Sequence, residues 1–128
     1  KRIYQCTGGR LGSRMGYIDV ALVETIGRQS GQLRCSPIAC YPYRDSVVVS
    51  ASNSGKEGHP AWYLNMQANP SVAVQVGRER YQAVAEAVEE DERAALWKTI
   101  VKINKHQGEY LELVERKIPL VWLRRELS

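Results

Sequence analysis

Val20-Ala21-Leu22-Val23-Glu24-Thr25-Ile26-Gly27-Arg28-Gln29-Ser30-Gly31-Gln32-Leu33-Arg34 is the stretch whose reading decides the fold. Its first seven residues are rich in β-branched and apolar side chains and read as a strand, which Gly27 stops. Arg28 to Gln32 is turn chemistry with Ser30-Gly31 at the bend, and a second strand is expected from Leu33 to Tyr43. Strands joined by so short a turn run antiparallel, because a parallel pair needs a crossover of a dozen or more residues. Pro37 and Pro42 interrupt the second strand. A proline inside a strand marks an edge, a bulge or an opening of the ladder, so this strand is expected to be irregular where a ligand could approach.

Outward from this hairpin the same logic applies. Val47 to Ser52 is an apolar strand with a polar end, and Asn53-Ser54-Gly55-Lys56-Glu57-Gly58-His59 is a loop of small polar residues. Pro60 then opens a helix over Ala61 to Ala68, which Asn69-Pro70 stops. Val72, Val74 and Val76 alternate as a strand, Gly77-Arg78 turns, and Tyr81 to Val88 forms another. Glu89, Glu90, Asp91 and Glu92 gather where they favour the positive end of a helix dipole, followed by Leu96, Trp97, Ile100, Val101 and Ile103 at helical spacing. A loop or short helix covers 105–115, and Ile118 to Leu123 closes the chain as a strand. The order β-β-β-α-β-β-α-β excludes a doubly wound parallel sheet, where strand and helix alternate strictly. It fits a small antiparallel barrel flanked or plugged by helices, since closure removes exposed edges.

Composition agrees. The 128 residues, 44% hydrophobic and 25% charged, fit one globular domain that needs neither metal nor disulfide staple. No apolar run approaches the roughly 18 residues of a membrane span. The net charge of +4 is uneven: residues 1–36 hold Lys1, Arg2, Arg10, Arg14, Arg28 and Arg34 against Asp19 and Glu24, and the remainder is balanced. Such an excess calls for an anionic partner. Residues 1–17, Gly-rich and basic, are expected to form a mobile lead-in that crosses the surface of the core. The chain begins at Lys1 without Met, as expected of a trimmed precursor, so a lost signal or anchor stays open. Cys6, Cys35 and Cys40 form an odd set without C-x-x-C spacing and are expected to be buried thiols in a reducing cytoplasm. If Cys35 and Cys40 share a strand, their separation puts them on opposite faces, which forbids a bridge between them.

Two constellations could carry chemistry. The turn Arg28 to Arg34 sets two guanidiniums, a hydroxyl and backbone N–H groups around one bend, the makings of a phosphate site with a backbone anion nest, or else of a solvated hairpin tip. The loop Ser52 to His59 leads from a strand into a helix N-terminus, which presents donors and a positive dipole to an anion, with Lys56 adding charge, or else it is a plain connection. Trp62, Asn65 and Met66 share one face of the following helix, and an Asn there needs a polar partner. His59 and His106 read as surface loop residues. No nucleophile-and-base set, carboxylate pair or metal site can be assembled. An enzyme without these borrows its chemistry from an organic cofactor.

In order and spacing, the segments Gly27 to Arg34, Ser50-Ala51-Ser52-Asn53-Ser54-Gly55, His59 to Asn65, Ala68-Asn69-Pro70 and Ile118-Pro119 resemble the deazaflavin-dependent nitroreductase family. These are the actinobacterial F420-dependent reductases of the quinone and aflatoxin reductase type. Thr7-Gly8-Gly9-Arg10-Leu11-Gly12 also looks like the family's opening segment. The resemblance implies a split antiparallel β-barrel like that of flavin reductases, mainly β with helices, in a single domain over 18–128 behind the lead-in. It implies that reduced coenzyme F420 lies in a groove of the barrel. Its phosphate would be held by Arg28, Gln29, Ser30 and Arg34, and its ring would lie along Pro37, Ser50, Ser52, Asn53, Ser54, Gly55 and Lys56. The helix would close the groove through Ala61, Trp62 and Asn65. The reaction implied is hydride transfer to a quinone, a nitro compound or an α,β-unsaturated ester or lactone.

Departures from the family pattern inform the substrate. Gln29 and Asn53 stand where quinone-reducing members tend to carry Lys. In the late segment, where some members place several tyrosines, Asn104 and Gln107 stand near two of those places and only Tyr110 remains. This favours a differently shaped substrate such as a coumarin-like lactone, with Tyr110 as hydrogen-bond donor or proton source. The protein is expected to be cytoplasmic and a monomer or weak dimer, its basic lead-in facing either the cofactor's acidic tail or an anionic membrane surface. Two other readings stand beside it. One is an FMN-dependent reductase of the same fold. The other is a small basic barrel binding single-stranded nucleic acid, disfavoured because the chain has no Phe and its basic residues cluster at a turn.

Overall fold

In the computed structural model, residues 14–15, 18–113 and 117–126 are described. Seven strands and three helices follow one another: β1 (Arg14–Met15), β2 (Ile18–Ile26), β3 (Leu33–Tyr43), β4 (Ser46–Ser50), α1 (Ala61–Ala68), β5 (Ser71–Val76), β6 (Glu79–Ala87), α2 (Glu90–Ile103), α3 (Lys105–Leu113) and β7 (Leu120–Arg125). All pairings are antiparallel. The order β2-β3-β4-β7-β6-β5 closes on itself through β5 and β2, giving a six-stranded barrel. The short β1 pairs with Ile18 and Asp19 at the start of β2. Most of the lead-in lies outside the described residues, including Cys6 and the segment from Thr7 to Gly12.

The expected element boundaries hold to within a few residues, and β3 and α1 span the predicted ranges. Two features differ. The late segment is a full helix, α3, and the closing strand runs further, to Arg125. Pro37 and Pro42 do not break β3. They coincide with a change of partner, because Leu33 to Ala39 pairs with β2 while Cys40 to Tyr43 pairs with β4. The first half of β3 therefore has an edge that no described strand occupies, and the barrel splits there.

The apolar residues sort into two cores by strand periodicity. Ala21 and Val23, Ile38 and Cys40, Val47 and Val49, Val72 and Val74, Val121 and Leu123 point inward, each pair two residues apart, and Met66 of α1 joins them. Tyr41, Val48 and Leu120 point outward and are covered by Trp97 and Ile100 of α2, with Val88 and Ile118. Val47-Val48-Val49 is apolar without alternation because β4 is buried on both faces.

The acidic start of α2 serves more than the dipole: Lys117 bonds Glu90 at 2.7 Å and holds its carboxyl below the ordinary value. Glu92 takes the Arg44 guanidinium at 2.6 Å and the Tyr43 hydroxyl. Cys40 is a buried thiol outside any disulfide, but Cys35 is exposed and disulfide-bonded, which corrects the expectation of buried thiols throughout. The two do lie on opposite faces of β3.

Candidate functional site

The turn after β2 is closed by its own backbone. Gly27 N–H donates to Gln32 O at 2.7 Å, Gly31 N–H to Gly27 O at 2.9 Å, and Gln32 N–H to the Ser30 hydroxyl at 3.1 Å. A Cβ on Gly27 would stand 2.8 Å from that hydroxyl, so the tight closure requires glycine there. Arg28 is tied to α1: its N–H and its Nη1 both donate to Asn65 Oδ1, at 3.1 and 3.3 Å, while Asn65 Nδ2 donates to Thr25 Oγ1 at 3.2 Å. The buried Asn thus finds the polar partners its position demands. These bonds use the N–H groups of Gly27, Arg28, Gly31 and Gln32 within the fold, which narrows the expected anion nest to the N–H groups of Gln29 and Ser30. Arg28 and Arg34 line a cavity of about 580 Å³ together with Gln29, Ser30, Ala61, Trp62 and Asn65.

A second cavity of about 450 Å³ opens at the split in the barrel. It is lined by Pro37, Ile38 and Ala39 of β3, Ser50 at the end of β4, Ser52, Asn53 and Pro60 of the loop, Trp62 of α1, and Asn104, His106, Gln107 and Tyr110. Trp62 lines both cavities, and the N-terminal end of α1 divides them, with Pro60 on one side and Ala61 on the other. The volume lies in the range of small-molecule sites.

The loop from Ser52 to Gly58 shapes the second cavity without filling it. Asn53 has φ +53° and donates its Nδ2 to Gly58 O at 2.7 Å, closing the loop. Asn tolerates this left-handed backbone better than most residues. Gly55 and Lys56 line neither cavity. Gly55, at φ +82°, has the α3 side chains of Leu113 and Tyr110 where its Cβ would be, at 2.9 and 3.1 Å, so its role is to seat α3. Of Ser54 only the backbone is described.

Asn104, Gln107 and Tyr110, which the late-segment comparison related to the substrate, line the α3 side of the second cavity. Asn104, Gln107 and Tyr110 follow at three-residue spacing and share a helix face. Asn104 ends α2 with its N–H on Ile100 O and caps α3 with its Oδ1 accepting His106 N–H at 3.2 Å, while its Nδ2 donates to the buried Tyr41 hydroxyl. Burial raises the Tyr41 phenol above its ordinary value, so it stays neutral. Gln107 is buried and accepts the Ser50 hydroxyl at 2.8 Å. The N-cap preference of Asn was a usable signal for the α2–α3 junction. Nothing local marks Gln107 as a cavity residue. Among the described residues no group of His, Cys, Asp and Glu could hold a metal, and no helix is long and apolar enough to cross a membrane.

The site is therefore a groove with an arginine-bearing end and a polar and aromatic end. Sequence comparison identifies the family of the chain. Residues 1–125 match the model of the family described as F420H(2)-dependent quinone reductase. The chain belongs to the F420H(2)-dependent quinone reductase family. It is 32% identical over 127 residues to an F420H(2)-dependent quinone reductase of Mycobacterium tuberculosis, covering 96% of this chain and 85% of the relative. A solved F420-H2 dependent reductase superposes with a TM-score of 0.72 at 33% identity, covering 80% of this chain and 90% of that one. A second solved structure with the same TM-score and identity, covering 80% of this chain and 77% of that one, is described as a domain-swapped dimer. The split-barrel architecture of this quinone reductase family is thus the one expected, and reduced coenzyme F420 is the family's cofactor.

The groove fits that cofactor. Two guanidiniums suit a phosphate at one end, a planar ring system fits the second cavity, and Trp62 forms a wall common to both. Nothing among the described residues supports the expected membrane contact of the lead-in.

Proposed function

We propose that this chain is a reductase that uses reduced F420 to transfer a hydride to an activated double bond, with an α,β-unsaturated ester or lactone favoured over a quinone or nitro compound. The observation that carries the reading is the groove itself: an arginine-bearing cavity and a polar, aromatic one joined along Trp62, with no nucleophile-and-base set or metal cluster among the described residues. In its reduced form the deazaflavin supplies the hydride. Arg28 and Arg34 hold the phosphate, Arg28 being pre-oriented by Asn65, and bidentate geometry makes guanidinium the suitable group. Pro37, Ser50, Ser52 and Asn53 border the ring, and Trp62 closes it from α1. Such positioning of two reactants, together with exclusion of water, supplies most of the rate. Tyr110 stands on the α3 side as the hydrogen-bond donor or proton source for the reduced product. The preference for a lactone rests on Asn104 and Gln107, which present carboxamides where a more aromatic lining would suit a quinone.

The test is a fluorescence titration. Purified protein is expected to quench the fluorescence of F420 saturably and to bind FMN at least tenfold more weakly. Unchanged F420 fluorescence at high protein concentration overturns the assignment, and tighter binding of FMN replaces the cofactor. A salt-sensitive affinity for single-stranded oligonucleotide in place of both would revive the nucleic-acid reading.

A further inference from the structure

Gln107 is only 6% exposed, yet it lines the second cavity. Its carboxamide is held from one side: the Ser50 hydroxyl donates to Oε1 at 2.8 Å. A carboxamide has two N–H donors besides its oxygen, and fixing the oxygen fixes where they point. Gln107 Nε2 has no hydrogen bond to any described residue and is absent from the buried side-chain atoms that lack a partner, so it borders accessible space. Its helix neighbour Asn104 is different, because both ends of that amide serve the fold, on His106 N–H and on Tyr41. The two carboxamides are one turn apart; Asn104 has given one amide hydrogen to Tyr41, whereas both of Gln107's are uncommitted.

We propose that Gln107, oriented by Ser50, is the group that reads the substrate, donating an N–H to the carbonyl oxygen that activates its double bond. The inference rests on the hydride-transfer reading above. In that reaction a hydride from the reduced cofactor, carrying two electrons, forms a C–H bond at the β-carbon. The π pair of the double bond moves toward the carbonyl oxygen as an enolate, and a proton from water or Tyr110 completes the α-carbon, while the cofactor is oxidised by two electrons. Negative charge grows on the oxygen that Gln107 holds, so the bond strengthens along the reaction and favours addition at the β-carbon. Toward the substrate Ser50 is a positioning residue that acts through Gln107, besides bordering the ring.

The experiment uses oxidised F420, which cannot donate hydride. Each variant is first titrated with F420 by fluorescence quenching. The saturated complex is then titrated by calorimetry with coumarin and with 2H-chromene, which has CH₂ in place of the carbonyl. Wild type is expected to prefer coumarin. Gln107→Leu and Gln107→Glu are expected to weaken coumarin roughly five- to twentyfold, as for a lost hydrogen bond, leaving chromene and F420 affinities within about twofold. Ser50→Ala is expected to lose less coumarin affinity than either, with chromene affinity unchanged. Gln107→Glu retains an acceptor for Ser50 and decides the matter if Gln107→Leu does not fold. Equal losses for coumarin and chromene, unchanged coumarin affinity, lost F420 affinity, or a wild type without preference each overturn the proposal. Absent F420 quenching by wild type instead overturns the cofactor reading, in a separate measurement.

Discussion

The two cavities of the groove are built in opposite ways. The arginine-bearing one is drawn mostly from ten consecutive residues, Gly27 to Ser36, pinned to a single helix by Asn65. The other gathers residues from β2, β3, the end of β4, the loop, α1 and α3, separated by up to 90 positions from Val20 to Tyr110. A site made by a turn has geometry set by local hydrogen bonds and changes one residue at a time. A site made by packing depends on how α3 sits, and α3 is seated by Gly55 and capped by Asn104. In the proposed reading the cofactor's anionic end meets the locally determined region, and substrate choice falls to the region that only packing assembles.

The contrast can be broken most directly at Arg28. Arg28→Ala is expected to weaken F420 binding roughly ten- to a hundredfold, since a charge-assisted bond contributes about 1.5–3 kcal/mol, while Lys98→Ala stays within twofold. Equal effects in the quenching titration would relocate the phosphate site. Gly55→Ala addresses the other cavity. Left-handed backbone and the 2.9 Å approach of Leu113 are expected to cost about 1–3 kcal/mol in a denaturant melt. Coumarin affinity should fall while the contribution of Arg28 persists. A smaller effect is expected from Asn104→Ala, about 1–2 kcal/mol for a lost helix cap and a lost bond to Tyr41, read as a lower melting temperature.

The smallest effect concerns pH. Burial raises the Tyr41 and Tyr81 phenols above their ordinary 10.0, so the fold disfavours their charged forms. Their contribution is complete below pH 10 and is lost as pH rises through the higher folded values. The tyrosine contribution to the urea midpoint should therefore decline only in alkali, and Tyr41→Phe should decline less steeply there. An equal slope would show that Tyr41 does not contribute.

How far each region could be read in advance follows from how it is built. β-branched runs, Gly27 and Ser30-Gly31 specify a strand, a stop and a bend within a few residues, so the hairpin and its arginines were legible. Which of the turn's donors are used by the fold was not legible, because the N–H of Arg28 goes to Asn65, 37 positions away, and those of Gly27, Gly31 and Gln32 close the turn. Pro37 and Pro42 foretold irregularity in β3, but only the assembled barrel turns that into a change of strand partner. Asn53 read as a cofactor residue from the family-like segments; it does line the second cavity, but that its side chain also closes the loop was not legible. Gly55 gave no sign that Leu113 and Tyr110 would pack against it.

Periodicity, turn chemistry and the family-like segments determined the antiparallel barrel, its order of elements and the arginine-bearing turn, because each depends on residues close together along the chain. Tertiary structure alone decided which side chains are spent on the fold and which stay available. Asn104 and Gln107 are the same kind of group three residues apart. Burial gave both of Asn104's ends to the protein and left the Gln107 amide facing the cavity, and that allocation is a property of packing in three dimensions.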